Sequence, residues 1–217
     1  MHILYEDSQL VAAEKPVGML SEPAGSGEND MGSALAQQLG MALLPVHRLD
    51  RSTGGAMVFA KTRSAADKLS ELIRQRAMEK EYFAVVHGTP EPEGSWTDLL
   101  FRDSAHNKTF VVRRLRKGVR EAKLAYRLLQ TVQLPNGAAS LVRIQLYTGR
   151  THQIRAQFAA RKMPLLGDGK YGSRDNRCDT ALWCCRLAFR HPFTGKPIEV
   201  KSAPPAIYPW DLFSRMY

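Results

Sequence analysis

One aspartate, Asp50, stands between two arginines in "PVHRLDRSTGGAMVFAKT" (45–62), followed by a Ser-Thr-Gly-Gly turn and an apolar run. The positive charge of Arg48 and Arg51 favours an ionised carboxylate, which suits a nucleophile or a base and not a general acid. A two-carboxylate glycosidase needs a partner acid with a raised pKa, and none lies near Asp50 in sequence. An aspartyl-phosphate hydrolase is expected to carry a second aspartate two positions on, where this chain has Ser52. The competing reading is a capped turn, with Asp50 bonded to the backbone amides of Ser52 or Thr53. Local spacing alone favours that turn.

Three other stretches carry groups that could act on an anionic substrate. In "LYTGRTHQIRAQFAA" (146–160), Arg150, His152 and Arg155 gather where a strand ends and a helix begins. Helix N-termini favour anions, so this is either a phosphate or carboxylate clamp or an exposed basic helix end. His152 and Arg155 are three apart and are expected to share a face away from Ile154 and Phe158. In "EKEYFAVVHG" (79–88), Tyr82 opens a strand, as a core residue or as a platform for base stacking. The densest basic stretch, "VVRRLRKGVREAK" (111–123), predicts a hairpin whose Arg113, Arg114 and Arg116 contact phosphates.

These groups must be held by strands and a few helices. Short β-rich runs recur: "HILY", "LVAAEK", "AMVFAK", "YFAVVHG", "TFVV", "KLAYRLLQTV", "SLVRIQLY", "ALWCCRLAF" and "PIEVKSA". Leu141, Arg143 and Gln145 alternate with Val142, Ile144 and Leu146, as in a half-buried antiparallel strand. Helical spacing predicts helices over "TRSAADKLSELIRQRAM", capped by Thr62 or Ser64, over "THQIRAQFAARKM", with Thr151 as N-cap, and over 31–39. "SEPAGSGENDMGS" (21–33) reads as a surface loop. Strands that do not alternate regularly with helices predict an α+β fold, with an antiparallel-dominated mixed sheet flanked by helices and loops. With no repeat and no linker, one domain over 1–217 is expected, and a monomer with it.

The whole chain narrows the chemistry. Its 217 residues carry 31 Lys+Arg against 21 Asp+Glu, a net charge of +10, which favours a polyanionic partner such as a nucleic acid. No run reaches the roughly 18 apolar residues of a membrane span. The start, "MHILYEDSQL", lacks the pattern of a signal peptide, so a cytoplasmic location is expected. Three cysteines, two of them adjacent, predict neither a disulfide framework nor structural zinc. The six histidines never fall three or four apart, so no metal is expected. Neither GxxxxGK[ST] nor GxGxxG occurs, so no nucleotide cofactor is expected either. Side chains alone are left to do the chemistry.

Taken in order, these pieces resemble the RluA-type pseudouridine synthases, RNA uridine isomerases with an HRLD motif. "YEDSQLVAAEKPVGMLSEP" looks like the family's opening segment, "VHRLDRSTGGAMVFAKT" its HRLD motif, "KEYFAVVHG" its tyrosine strand and "GRTHQIRAQFAARKMPLLGDGKYG" its arginine motif. "LAFRHPFTGKPIEVKSAPP" resembles the closing strands. The resemblance implies conversion of uridine to its C-glycoside in rRNA or tRNA without a cofactor. It maps the catalytic carboxylate onto Asp50, the uracil-stacking tyrosine onto Tyr82, and the arginine pairing with that carboxylate onto Arg155. Arg48 becomes a candidate to hold the flipped nucleotide. Arg51, Arg113, Arg114, Arg116, Arg150 and His152 would contact flanking RNA. No separate N-terminal RNA-binding domain is expected.

The chain departs from the family pattern in three places: Glu14 replaces the usual Asn or Asp, Gly54 replaces serine in "TSG", and "WCC" (183–185) replaces "LHA". None removes a catalytic group. The alternatives are a catalytically inactive RNA-binding protein of the same fold and, less well supported, an unrelated aspartate-nucleophile hydrolase.

Overall fold

A computed structural model describes residues 1–25 and 29–214. Residues 26–28 of the expected loop at 21–33 lie outside the described residues, and the helix begins already at Met31. The chain divides into two compact units. The first is built from Met1–Lys80 and Trp183–Pro204, the second from Glu81–Leu182 and Pro205–Tyr217.

Unit 1 contains β1 (His2–Glu6), β2 (Leu10–Lys15), α1 (Met31–Leu39), β3 (Leu44–Pro45), β4 (Gly54–Ala60) and α2 (Arg63–Arg74). It closes with β10 (Leu182–Arg190) and β11 (Pro197–Lys201). Strand order runs β1-β2-β4-β10, with β3 on β4 and β11 on β10; only β4 and β10 are parallel. The central strand β4, "GGAMVFA", is buried at every residue, which explains an apolar run without polar alternation. Asp30 caps α1 by accepting from Ser33 N–H. Of the two caps predicted for α2, Thr62 is used: its Oγ1 accepts from Ala65 N–H. This helix stops at Arg74, four residues short of the predicted end, because Arg76 turns left-handed at φ 59°.

Unit 2 contains β5 (Glu79–His87) from Glu81 onward, β6 (Glu93–Asp103), β7 (Lys108–Val112), β8 (Val119–Leu134), β9 (Gly137–Leu146) and α3 (Gln153–Ala160). All neighbours in the order β5-β9-β8-β6-β7 are antiparallel. The expected alternation in β9 holds from Val142 onward, but Leu141 is also buried. The α3 helix covers one face of the outer strands, where Leu100, Val111 and Ala122 pack with Ala156, Ala159 and Tyr171. Trp96, Tyr126 and Phe158 continue that contact, with ring centroids 4.7 to 5.5 Å apart. The fold is thus α+β with antiparallel-dominated mixed pairing, as expected. No described helix is long and apolar enough to cross a membrane.

Candidate active site

In unit 1 the backbone on both sides of Asp50 is fixed from below. Ser21 Oγ donates to Leu49 O at 2.7 Å and accepts from Leu49 N–H at 3.0 Å. The Arg51 carbonyl accepts from Gly18 N–H, while Arg51 Nε donates to Gly18 O. Thr53 N–H donates to the carbonyl of Asp50 itself, closing a tight turn. Beneath it lies Lys15, with no exposed surface. Its Nζ donates to the carbonyls of Pro16 (2.9 Å), Met19 (2.7 Å) and Arg51 (3.3 Å). Burial pushes this ammonium down to about 8, against the upward pull of the Asp50 carboxylate. At neutral pH the turn therefore holds a buried positive charge that interacts with the Asp50 carboxylate.

His47 is held by a different bond. Its Nε2 accepts from Val58 N–H on β4, and burial, assisted by Lys80, pushes the ring down to about 3. It is a neutral structural acceptor that ties the start of the motif to the central strand. Arg48 is exposed and reaches Glu22 at 3.6 Å, a solvent-screened pair that leaves it free to be drawn elsewhere.

Glu14, Gly54 and Trp183, far apart in sequence, are joined. A Cβ at Gly54 would lie 2.2 and 2.5 Å from two atoms of the Trp183 ring. Trp183, paired with Gly54 in the parallel β4–β10 register, donates from Nε1 to Ser202 Oγ, which in turn donates to Glu14 Oε2. Glu14, Gly54 and Trp183 are therefore one packing solution. The next residue, Gly55, differs in kind: its φ is +112° and its Cβ would meet the Cys184 carbonyl oxygen at 2.3 Å.

In unit 2, Tyr82 lies opposite Ile144 and is 6% exposed. Arg155 does not face away from the core as its spacing with His152 suggested, and of the two readings of this stretch the exposed basic helix end is excluded for it: it is 6% exposed, and α3 is buried from Gln153 to Phe158. A bidentate ion pair explains how a guanidinium can be buried there. Arg155 Nε donates to Asp168 Oδ2 at 2.7 Å and Nη2 to Oδ1 at 2.8 Å. The Tyr171 ring lies 5.1 Å from the guanidinium. Asp168 sits in a turn that needs glycine before it, since Gly167 has φ +74° and a Cβ there would meet the Asp179 carbonyl at 2.2 Å.

Thr151 is not the cap of α3. The N-cap is His152, left-handed at φ 53° and making no side-chain cap bond. Gln153 closes the end instead, its Oε1 accepting from Arg150 N–H and from Thr148 Oγ1. His152 Nδ1 meets the Tyr171 hydroxyl at 3.0 Å, and that hydroxyl accepts from Thr109 N–H. Arg150 is exposed and donates from Nε to the Glu121 carbonyl. Arg113, Arg114 and Arg116 occupy the exposed loop between β7 and β8, but the expected hairpin is not formed there: β7 and β8 pair with opposite sides of β6, so the loop is a crossover past that strand.

Lys15, Asp168 and Tyr171 were not singled out from sequence for any role. Among the described residues no group of three or more His, Cys, Asp or Glu is placed to hold a metal ion.

A profile of the RNA pseudouridylate synthase family matches residues 9–160. The chain belongs to this family. Like its RluA-type relatives, this pseudouridine synthase is an isomerase. It is similar to the tRNA pseudouridine synthase C of Vibrio cholerae, 30% identical over 93% of this chain and 90% of that protein. It also resembles the ribosomal large subunit pseudouridine synthase D of Xanthomonas campestris, 32% identical over 94% of this chain and 66% of that protein. Its fold matches that of human RNA pseudouridylate synthase domain containing 1, with TM-score 0.80, 22% identity, and coverage of 95% of this chain and 84% of that one.

Proposed function

We propose that this pseudouridine synthase converts specific uridines in tRNA or rRNA, with Asp50 as its essential carboxylate. The observation that carries the assignment is the Asp50 turn. Its backbone is pinned by Ser21 and Gly18, and a buried ammonium underlies it, so the carboxylate is preorganised before substrate arrives. The reaction breaks N1–C1′, rotates the uracil and joins C5 to C1′. The proton leaves C5 and N1 gains one, so the change is redox-neutral and requires only acid–base and nucleophilic groups. Asp50 would attack the nucleoside or remove the C2′ proton; both routes use it ionised.

Tyr82 is assigned to stacking on the uracil and Arg155, held by Asp168, to substrate binding. Arg48 is assigned to the flipped nucleotide, which must leave its stack to be reached. Arg51, Arg150 and His152 are assigned to flanking RNA. All of this takes place in a cytoplasmic monomer.

The test is incubation of the purified protein with tRNA and rRNA from cells lacking its gene, followed by transcriptome-wide pseudouridine mapping. Transfer RNA comes first, because relatives named for tRNA match over 85% to 90% of their own length. Discrete new pseudouridines are expected. RNA bound but unconverted in every pool would identify an inactive RNA-binding protein and refute the proposal.

A further inference from the structure

The outer strands of unit 2 have two faces, and α3 accounts for only one. Leu100 and Val111 point into the core beneath α3. Their neighbours Leu99, Phe101, Phe110 and Val112 therefore point the opposite way, since side chains alternate along a strand. That opposite face should be polar if it met only water. Instead it carries an apolar cluster of Leu99, Phe101, Phe110 and Val112 between charged residues, and Phe101 and Phe110 are direct cross-strand partners on it. Phe110 is 43% exposed, on the last strand of the unit's order.

Both rings carry a cation. Arg116 lies 4.9 Å from the Phe101 centroid and Lys108 5.6 Å from that of Phe110. Farther along the same face of β8, Lys123 lies 5.3 Å from the ring of Tyr147, itself 38% exposed. The loop 113–118, "RRLRKG", is exposed throughout and borders the apolar face with positive charge, with Leu115 75% exposed within it.

We propose that this outer face of β6, β7 and β8 binds unpaired nucleobases of the substrate RNA, stacked on Phe110 and Phe101 while the bordering arginines take the adjoining phosphates. The inference rests on the RNA-modifying function proposed above. Aromatic rings accept any base by stacking, and cations beside them neutralise the backbone that carries those bases. Charge decides between occupants: a second copy of this basic chain would bring two arginine-lined borders together, whereas RNA is complementary to both parts. Glu121 lies on the same face, between Phe101 and Lys123 in strand register, and repels phosphate there; the bases, not the backbone, would cross that point.

The experiment measures binding of a fluorescent ten-nucleotide oligouridine and of a ten-base-pair RNA duplex by anisotropy across a salt series. Phe110→Ser should weaken oligouridine binding roughly 5- to 10-fold, the low end of one aromatic–base stack, with the salt slope and duplex binding unchanged. Phe110→Trp should bind as wild type or tighter. Replacing Arg113, Arg114 and Arg116 by glutamine should instead lower the salt slope for both ligands. Wild-type oligouridine affinity in Phe110→Ser would overturn the inference. So would a wild-type dimer that this substitution separates in sedimentation, since the face would then belong to a second copy. The two proposals fail separately: absent pseudouridine formation by the wild type refutes the catalytic function, while unchanged oligouridine binding by Phe110→Ser in an active enzyme refutes only this surface.

Discussion

Gly54 offers a sharp test of how the Asp50 turn is supported. A methyl group there would sit 2.2 Å from a carbon of Trp183, well inside the roughly 3.5–4.0 Å of an ordinary carbon–carbon contact. The ring cannot yield cheaply: it is 4% exposed, and its Nε1–H is held by Ser202, which is bonded to Glu14. Overpacking of this kind costs about 1–3 kcal/mol, and loss of the indole hydrogen bond adds about 1 kcal/mol. Gly54→Ala should therefore destabilise by about 2–4 kcal/mol in urea unfolding. Trp183→Ala should cost about 3–5 kcal/mol through the cavity it leaves. In the double variant the methyl group enters that cavity, so Gly54→Ala should add nearly nothing to the loss from Trp183→Ala, giving a coupling of about 2 kcal/mol or more. Gly55→Ala should show no such rescue, because its obstacles are its own φ and the Cys184 backbone. Additivity of Gly54→Ala and Trp183→Ala within about 0.5 kcal/mol would refute the reasoning.

Lys15 predicts a pH effect. Its folded value near 8 lies below the roughly 10.5 of an unfolded lysine, so between these values the unfolded chain binds more protons. Stability from this group should therefore rise between pH 8 and about 10.5, by at most roughly 3 kcal/mol, and Lys15→Met should remove that part of the slope in urea titrations. Identical slopes in the two proteins would contradict the assignment. Asp168→Asn should cost about 3–5 kcal/mol by leaving Arg155 buried with a neutral partner. The apolar pair Arg155→Met with Asp168→Leu should recover most of that stability in unfolding experiments, yet form no pseudouridine; an active apolar pair would remove Arg155 from the machinery.

Much of the site was legible because its signals are local. The Asp50 turn, the Thr62 cap and the fully apolar β4 all follow from residues within a few positions of one another, whereas the hairpin expected at 111–123 failed because β6 lies between β7 and β8. What escaped depends on partners distant in sequence or on backbone that residue type does not announce. The β6 strand, "EGSWTDLLFRD", was missed because its charged and hydroxyl residues conceal a pattern exposed on one side only in part. Arg155 looked solvent-facing because nothing nearby marks Asp168 as its partner. The predicted Thr151 cap failed because His152 adopts a left-handed conformation that histidine seldom shows, and Gln153 supplies the closing bonds. Lys15 ends a strand like any surface lysine; only the fold brings three carbonyls to its Nζ. The link from Gly54 through Trp183 to Glu14 likewise exists only once β4 and β10 pair.

The most direct measurement of the central claim is pseudouridine formation by Asp50→Asn on an RNA that the wild type modifies, with binding to the same RNA measured in parallel. The substitution keeps the shape of the side chain and removes its charge. The account predicts no detectable conversion with RNA affinity within about 3-fold of wild type, since phosphate contacts, which supply most of a basic protein's affinity for RNA, do not involve the carboxylate. Conversion at a substantial fraction of the wild-type rate would contradict it.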